Sequence, residues 1–289
     1  MDLIDLHTHS TFSDGTLTPA ALVDLARQTG LKAIALTDHD TMAGLPEAVA
    51  RGREQGIEVV PGVEVSAVHE GRTIHVLAYR PRESREMGEM MERLQRFRHR
   101  RNDQILANLN RLGIAVTAAE LRHYSPSGQT GRPHIARLLV DRKVVKTVDQ
   151  AFNRYLKKGG LAHAESGKLQ AEEVVRTVAG AGGIPVLAHP LHGVPGLPAL
   201  TPLLEILVPA GLAGLEAYYP SHSAADVREL KKLATRYGLL ITGGSDFHGD
   251  SHAGASLGGI GTPLRIPYEL LSAMNSHPAS QEKGTDPAW

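Results

Sequence analysis

Short apolar segments recur along the chain, and most of them end in polar residues. The first, LIDL at residues 3–6, is typical of a buried strand. Similar runs follow at residues 33–40, 57–66, 73–79, 183–190, 214–222 and 239–248. Near-continuous apolar strands are characteristic of parallel sheets that are covered on both faces. The pattern therefore predicts a parallel sheet of some seven strands.

Amphipathic helical stretches separate most of these strands, and two of them have clear end signals. Thr18 is placed to cap a helix that starts with Pro19 and ends at Gly30. Ser223 caps another, which closes at Gly238. Repeated strand–helix units of this kind predict an α/β protein.

Polar residues that can bind metals cluster at the C-terminal ends of nearly all the predicted strands. An open, doubly wound sheet places its ligand at one switch point. A closed β/α barrel instead collects side chains from all of its strand ends around one axis. The distribution along this chain therefore favours a barrel.

A long segment between the fourth and fifth apolar runs interrupts this rhythm. A helix is predicted from Ser84 to about Gly113, with shorter helical pieces at residues 117–123, 133–145 and 148–158. We therefore predict three regions: a barrel formed by residues 1–80 and 168–276, a helical insertion at residues 81–167, and a flexible polar tail at residues 277–289.

Composition and charge limit the kinds of ligand that each region can bind. The 289 residues include no cysteine, so a metal site must use nitrogen and oxygen ligands. Residues 81–168 carry 18 Lys and Arg against 9 Asp and Glu, whereas the remainder carries 13 against 22. The insertion is thus suited to anions and the barrel to cations, although a solvated basic helix face would give the same count.

No feature of the sequence indicates a membrane protein. No apolar run approaches the roughly 20 residues that cross a bilayer. The first residues also lack the basic start of a signal peptide. We therefore expect a cytoplasmic protein with no membrane association.

Nine side chains at the ends of the predicted strands form a candidate metal site. His7 and His9 project together from one strand, and paired imidazoles gain most when a cation lies between them. The other seven are Asp14, His39, Glu64, His75, His189, Asp246 and His248. A single one of them would be interpreted as a core histidine or a turn acid. Nine of them converging in a barrel mouth would be costly without compensating charge, which favours several divalent ions.

Six segments occur in order along the barrel portion: DLHTHSTFSDG, TDHD, GVEVS, HVLAY, LAHP and GSDFH. They resemble the motifs of the PHP (polymerase and histidinol phosphatase) family of metal-dependent phosphoesterases. The insertion after HVLAY is similar to that of the subgroup containing a 5′-3′ exoribonuclease and 3′,5′-nucleotide bisphosphate phosphatases. The resemblance implies a distorted (β/α)7 barrel, in agreement with the strand count above.

The resemblance also implies a ligand set for two or three divalent ions, with manganese expected and iron or zinc compatible with the same donors. One ion would bind His7, His9, Glu64 and Asp246. A second would share Glu64 and add His75 and His189, and a third would use Asp14, His39 and His248. Asp40 would orient His39 from behind.

The reaction that the resemblance implies needs further groups. A leaving alkoxide requires a proton or a metal ion, and His192 and His222 are candidate proton donors. In the insertion, Arg132 and His134 open a helix behind a loop, which makes an anion site. Ser127 and Lys157 are weaker candidates for the same role. Arg132 could also pair with a surface acid.

A second phosphate site away from the metals favours a substrate with two phosphates. We predict removal of the 3′-phosphate from nucleoside 3′,5′-bisphosphates such as adenosine 3′,5′-bisphosphate, with 5′-3′ exoribonuclease action on short RNA as a second activity. Aromatic residues make up only 4% of the chain, which argues against a dedicated binder of long RNA. The expected partner is therefore a small nucleotide or short oligoribonucleotide, with no obligatory protein partner.

Two other functions remain open. A histidinol-phosphate-type phosphatase would use the same metals, but its substrate needs no large basic insertion. A non-catalytic, metal-binding regulatory module is the second. It is disfavoured because no motif position carries a residue that cannot bind metal.

Overall fold

A computed structural model of the chain describes residues 2–125, 129–165, 167–194, 196–249, 256–259 and 264–281. The fold is mixed α/β. Its strands are β1 (Ile4–Thr8), β2 (Ala33–Leu36), β3 (Glu58–His69), β4 (Arg72–Tyr79), β5 (Leu169–Gln170), β6 (Ile184–Leu187), β7 (Gly214–Tyr218) and β8 (Leu240–Gly243). Seven of them follow one another in the order β1-β2-β3-β4-β6-β7-β8, and the short β5 pairs with β3. The predicted fold class is confirmed.

The helices follow in chain order: α1 (Pro19–Gln28), α2 (Leu45–Gln55), α3 (Arg85–Arg111), α4 (Ala118–His123), α5 (Arg132–Asp141), α6 (Val148–Ala151), α7 (Ala171–Gly180), α8 (Pro190–Gly193), α9 (Leu197–Leu207), α10 (Ala224–Tyr237), α11 (Glu269–Asn275) and α12 (Pro278–Gln281). A π-helical turn, Phe152–Leu156, continues α6. Among the described residues, no helix is both long and apolar enough to cross a bilayer.

The helix ends follow their capping residues. The Thr18 hydroxyl accepts a hydrogen bond from the Ala21 amide at 3.2 Å, which caps α1 as predicted. Ser223 caps α10, and Gly238 ends it with a left-handed φ of 65°. Glycine adopts this conformation without the strain that a Cβ atom would introduce.

Strand β4 departs from the parallel arrangement that the apolar runs predicted. It lies antiparallel to β3 and to β6, whereas the other neighbours in the strand order are parallel. The link between β3 and β4 is only Glu70 and Gly71, with φ of 48° and 75°. Two residues with positive φ form a tight hairpin, and a parallel crossover needs a far longer connection. The prediction of an all-parallel sheet is therefore wrong at β4.

The sheet curls so that its two edge strands meet at one end. Thr8 at the end of β1 forms a parallel bridge with Phe247, which follows β8. The amide of His9 donates to the Phe247 carbonyl at 2.9 Å. This bridge brings the first and last motifs of the chain together at one mouth of the sheet.

Two apolar layers lie on opposite faces of the sheet, as β2 shows. Ala33 and Ala35 belong to an inner cluster with Leu6, whereas Ile34 and Leu36 pack with α1 and α2. Successive strand residues point to opposite faces, so a strand buried on both needs apolar residues at every position. This explains the unbroken apolar run.

Between β4 and β5 the described residues form helices and no strand. The first half of α3, including Met90 and Leu94, packs on the apolar core of the sheet. Its second half, including Ile105 and Leu109, belongs to a separate apolar core with α5. Helix α3 therefore connects two cores. Of the predicted tail, residues 278–281 form α12, and residues 282–289 lie outside the described part of the chain.

Candidate metal centre

The nine predicted ligands lie in one cluster at the mouth of the sheet. Three overlapping groups can each hold a metal ion: His7, His9, Glu64 and Asp246; His9, Asp14, His39 and His248; and His39, Glu64 and His75. The ninth residue, His189, contacts Glu64 through its Nε2 atom at 2.9 Å. The cluster draws on residues that are far apart in the sequence because the curled sheet brings their strand ends together.

Four atoms of the first group form a compact cage. The Nε2 atoms of His7 and His9 lie 3.4 and 3.3 Å from Glu64 Oε2. They lie 3.4 and 3.1 Å from Asp246 Oδ1. All four atoms are buried, and none has a hydrogen-bond partner among the residues that the structure describes. Bonds of about 2.1 Å to a tetrahedral ion would set such atoms about 3.4 Å apart, so this group fits a divalent cation.

Glu64 links this cage to a second group. Its Oε1 atom lies 2.7 Å from His75 Nδ1 and 2.9 Å from His189 Nε2. These two ring nitrogens are 3.3 Å apart. The other carboxylate oxygen of Glu64 also lies 2.9 Å from His39 Nδ1. One carboxylate thus faces both groups, as the bridging ligand of a two-metal site does.

The third group surrounds Asp14 and is more open. His248 Nε2 lies 3.2 Å from Asp14 Oδ1, whereas His39 Nε2 lies 3.9 Å from Asp14 Oδ2. His9 Nδ1 is 4.0 Å from Asp14 Oδ1, so His9 borders two groups. The rings of His9 and His248 stack at 4.0 Å between centroids. The Oδ1 atom of Asp14 is buried without a hydrogen-bond partner, as in the first group.

The charges within the cluster shift the pKa values of its acids and histidines in the directions expected of a cation-binding site. Burial is the largest influence on Glu64 and favours its neutral form, yet the imidazoles of His39 and His75 hold its pKa well below the usual range. For His7, burial favours the neutral ring, but Glu216 and Asp246 raise the pKa well above its usual value. A proton on His7 thus compensates for the neighbouring carboxylates, a role that a bound divalent ion would take over.

His75 lies on a strand that runs in the opposite direction to the one predicted. It was expected at the C-terminal end of a parallel strand, but it lies in the N-terminal half of the antiparallel β4, opposite Ser66 of β3. A reversed strand presents its N-terminal half at the mouth where its neighbours present their C-terminal ends. The strand direction was wrong, although the position of His75 in the cluster agrees with the prediction.

The PHP domain family model matches residues 5–160, more than half of the chain. The chain belongs to the PHP domain family. The resemblance inferred from the six motifs is thereby confirmed.

Three relatives align with this PHP protein over most of its length. It is 35% identical to a 3′,5′-nucleoside bisphosphate phosphatase of Chromobacterium violaceum over 88% of the chain and 90% of the relative. It is 35% identical to a phosphoribosyl 1,2-cyclic phosphate 1,2-diphosphodiesterase of Eggerthella lenta over 85% and 94%. It is 34% identical to a 5′-3′ exoribonuclease of Haemophilus influenzae over 84% and 89%.

The fold is also similar to that of a solved PHP-type structure. A crystal structure of a candidate metal-dependent phosphoesterase from Bifidobacterium adolescentis superposes with a TM-score of 0.87 at 31% identity. The match covers 95% of this chain and 96% of the other. The agreement extends over both the barrel and the segment between β4 and β5, because so little of either chain is left uncovered.

Two buried acids that the sequence analysis did not identify support the PHP metal cluster from behind. Glu216 of β7 is fully buried, with Oε1 3.0 Å from His7 Nδ1 and Oε2 accepting the His189 amide at 2.7 Å. Asp5 of β1 accepts hydrogen bonds from the amides of Ser245 and Gly258 at 2.9 and 2.7 Å. Each is an acid in an otherwise apolar strand, and that is the signal that could have revealed them.

Asp40 has different neighbours from those predicted. Its carboxylate accepts hydrogen bonds from the Ser66 amide at 2.7 Å and from Arg98 Nε at 2.8 Å. Among the described residues, no hydrogen bond joins it to His39. Burial is the main influence on Asp40, but Arg98 and Ser66 lower its pKa. The Asp40 side chain holds Arg98 of helix α3, and its role in orienting His39 stays a prediction.

A cavity of about 160 Å³ lies between the cluster and helices α3 and α5 of the segment between β4 and β5. Asp14, His39 and His75 lie on its barrel side. The other side carries three guanidinium groups from helices α3 and α5, those of Arg98, Arg101 and Arg132, together with Phe97 and Phe152; Lys168 also lines the cavity, beside Thr73 of β4. The cavity thus has a wall that can bind cations and a wall that can bind anions.

The predicted phosphate-binding residues have different positions. Arg132 begins α5 and lines the cavity, where burial and neighbouring Arg98 lower its pKa. His134 is buried outside the cavity wall, and its Nδ1 atom accepts the Gly131 amide at 2.9 Å. Lys157 is exposed, with its Nζ atom 2.9 Å from Asn153 Oδ1. Ser127 lies outside the described residues.

The two candidate proton donors lie beside the metal cluster, around Tyr219. His192 is 5.3 Å from His189 between ring centroids, and its Nε2 atom lies 2.8 Å from Ser221 Oγ. His222 donates from Nδ1 to the Ala217 carbonyl at 2.9 Å, and its Nε2 atom is buried without a hydrogen-bond partner. The Tyr219 hydroxyl donates to Asp246 Oδ2 at 2.9 Å. Tyr219 therefore connects this group to a candidate metal ligand.

Proposed function

We propose that this PHP protein is a metal-dependent phosphoesterase that removes the 3′-phosphate from nucleoside 3′,5′-bisphosphates. The observation that carries the proposal is the pairing of two oppositely charged walls across one cavity. A substrate with two phosphates can place one at the carboxylate–imidazole wall and the other at the guanidinium wall. The bisphosphate phosphatase from Chromobacterium violaceum supports this choice, because it aligns over 88% of the chain.

The nine clustered residues would hold two or three divalent ions. Their nitrogen and oxygen atoms suit manganese, which we propose as the working metal, and they are also compatible with iron or zinc. When bound, such ions activate water and neutralise the negative charge of the phosphate that is cleaved. The orphaned atoms of His7, His9, Glu64 and Asp246 are the part of the cluster that fits a cation best.

The chain's own residues then have distinct tasks. Glu216 fixes the ring of His7 through Nδ1, so that the Nε2 atom of that ring points into the cage. Arg132 supplies a guanidinium that lines the cavity from the start of α5. His192 and His222 stay candidate proton donors for the leaving oxygen. The His192 ring contacts His189, and the His222 ring contacts Tyr219, whose hydroxyl donates to Asp246.

The test is phosphate release by the full chain after it has been stripped with a chelator and reconstituted with Mn²⁺. We expect release of the 3′-phosphate from adenosine 3′,5′-bisphosphate, with adenosine 5′-monophosphate as the product. Histidinol phosphate should be a poorer substrate because it has no second phosphate for the basic wall. No phosphate release above that of a His9→Ala variant would overturn the proposal.

A 5′-3′ exoribonuclease activity on short RNA is the second candidate. It is favoured by the Haemophilus influenzae relative, which covers 84% of the chain. The same two walls would then hold a 5′-phosphate and the adjoining phosphodiester. A 5′-phosphorylated trinucleotide in the same assay should yield mononucleotides if this activity is present, and chromatography of the products separates the two functions.

A further inference from the structure

Arg101 of helix α3 is an unusual member of the basic wall. Its side chain lines the cavity, and its Nε atom is buried without a hydrogen-bond partner. Its Nη2 atom makes a long contact of 3.5 Å with the Asn102 side chain. The described residues therefore leave most of this guanidinium's hydrogen-bonding capacity unused.

The neighbouring cations differ from Arg101 in this respect. Arg98 forms an ion pair with Asp40, with Nη2 and Nε at 2.6 and 2.8 Å from Oδ2. Lys168 donates from Nζ to Thr73 Oγ1 at 2.5 Å. Among the described residues, Arg101 has no carboxylate within 4 Å of its guanidinium nitrogens. Burial, together with the charges of Arg98 and Arg132, lowers its pKa to about 9.

The position of Arg101 in the cavity follows from the geometry of helix α3. Leu94, Phe97, Arg98 and Arg101 recur at spacings of three and four residues and all line the cavity. These spacings put side chains on one face of a helix. Arg100, one residue earlier, is exposed on another face. A buried cation without a partner destabilises a fold, and it is retained where a ligand supplies the missing charge.

We propose that Arg101 is the specificity-determining residue for the second phosphate, the one that is not cleaved. This inference rests on the proposed function, and it assigns to one side chain the preference for substrates with two phosphates. The guanidinium would donate two parallel hydrogen bonds to phosphate oxygens, a geometry that lysine cannot reproduce. The phosphate would in turn supply the negative charge that Arg101 lacks.

The kinetic test compares Arg101→Met and Arg101→Lys with wild type and with the matched control Arg100→Met. The substrates are adenosine 3′,5′-bisphosphate and adenosine 3′-monophosphate. We expect Arg101→Met to raise KM for the bisphosphate about 10- to 100-fold, the range for a lost charge-assisted hydrogen bond. The kcat/KM for the monophosphate should stay within about twofold, because that substrate never used the side chain. Arg101→Lys should be intermediate and Arg100→Met unchanged.

A binding test separates this inference from the proposed function, because it needs no turnover. The melting temperature of chelator-treated protein is measured with and without adenosine 5′-monophosphate. Without nucleotide, Arg101→Met should melt higher than wild type, because it removes a half-buried guanidinium that has no carboxylate partner among the described residues. The nucleotide should raise the melting temperature of wild type and of Arg100→Met, but raise that of Arg101→Met by much less.

The outcomes are distinct. If wild type does not hydrolyse the bisphosphate but the nucleotide stabilises it through Arg101, the proposed function fails and the anion-binding role of Arg101 stands. If Arg101→Met lowers kcat/KM equally for both substrates, the inference is overturned. It is also overturned if that variant melts lower than wild type and responds equally to the nucleotide.

Discussion

The two walls of the cavity bury charge in opposite ways. The barrel wall is made of strand ends, where Glu216 holds the His7 ring from behind and Asp5 accepts hydrogen bonds from the amides of Ser245 and Gly258. The basic wall comes from α3 and α5, whose C-terminal and central parts form their own apolar core. The Arg98–Asp40 ion pair joins the two walls. From this difference we expect the strand wall to carry out the chemistry and the helical wall to recognise the substrate.

This comparison predicts that substitutions on the two walls of the cavity impair the protein in different ways. A change on the strand wall should remove metal ions and abolish turnover of every substrate. A change on the helical wall should alter substrate preference and leave the metal content intact. Three substitutions, taken from the largest expected effect to the smallest, examine the two walls in turn.

Glu64→Gln should have the largest effect. Glutamine keeps the size of the side chain but loses the charge that faces His7, His9, His39, His75 and His189. We expect kcat/KM for adenosine 3′,5′-bisphosphate to fall more than about 10³-fold, since both the metal charge and its placement are lost. Metal content measured by plasma mass spectrometry should fall in parallel.

The matched control for this substitution is Glu205→Gln, an exposed glutamate on α9. It should leave both metal content and activity unchanged. Full metal content together with activity within tenfold of wild type in Glu64→Gln would contradict the central role given to this carboxylate.

Glu216→Gln examines the support behind the strand wall. An amide cannot accept hydrogen bonds at both positions, so the bond to His7 Nδ1 or the bond to the His189 amide is lost. Outer partners of metal-bound histidines contribute about 10- to 100-fold to metal affinity or activity, and we expect a loss in that range. Titration with Mn²⁺ against a competing chelator measures the affinity, with Glu205→Gln again as the control. Unchanged affinity would show that Glu216 does not position His7.

His134→Asn examines, through pH, the packing of helix α5, which carries Arg132 of the helical wall. Burial lowers the pKa of His134 to about 4, below the value of about 6.5 in an unfolded chain. The unfolded state therefore takes up a proton that the folded state rejects, so the free energy of unfolding decreases as pH falls from 6.5 towards 4. The loss from this group is at most about 3 kcal/mol. Above pH 6.5 the group contributes no pH dependence.

Asparagine in place of His134 keeps an acceptor for the Gly131 amide but does not titrate in this range. Urea unfolding at a series of pH values, with chelator present, should give a shallower decrease for the variant than for wild type. The cluster histidines are common to both proteins and cancel in the difference. Identical slopes would mean that His134 is not held neutral by burial.

Much of the metal cluster was predictable because its signals are local. His7 and His9 lie on one strand, and Asp246 and His248 follow another, so their proximity needs only the strand geometry. Helix α10 was equally predictable from Ser223 and Gly238, since capping depends on neighbouring residues. Features of this kind depend on backbone stereochemistry and on hydrogen bonds within a few residues.

Other features depend on contacts between distant segments. Glu216 lies 209 residues from His7, and Arg98 lies 58 residues from Asp40. No periodicity in the sequence pairs such residues. His134 shows the same limit: a basic residue at a helix start suggests anion binding, but the folded chain uses its ring to bind the Gly131 amide.

By itself the sequence determined the strand and helix pattern, the absence of thiolate ligands and the set of residues able to bind metals, because each follows from residue chemistry and local spacing. Only the tertiary structure decided that β4 runs antiparallel and that Glu64 lies between two groups of ligands. It also decided that Arg101 faces the cavity with no counter-ion from the part of the chain that the structure describes. These depend on how the sheet curls and how α3 packs on it. Burial and charge pairing are properties of the folded chain, because they arise only when segments distant in sequence come into contact.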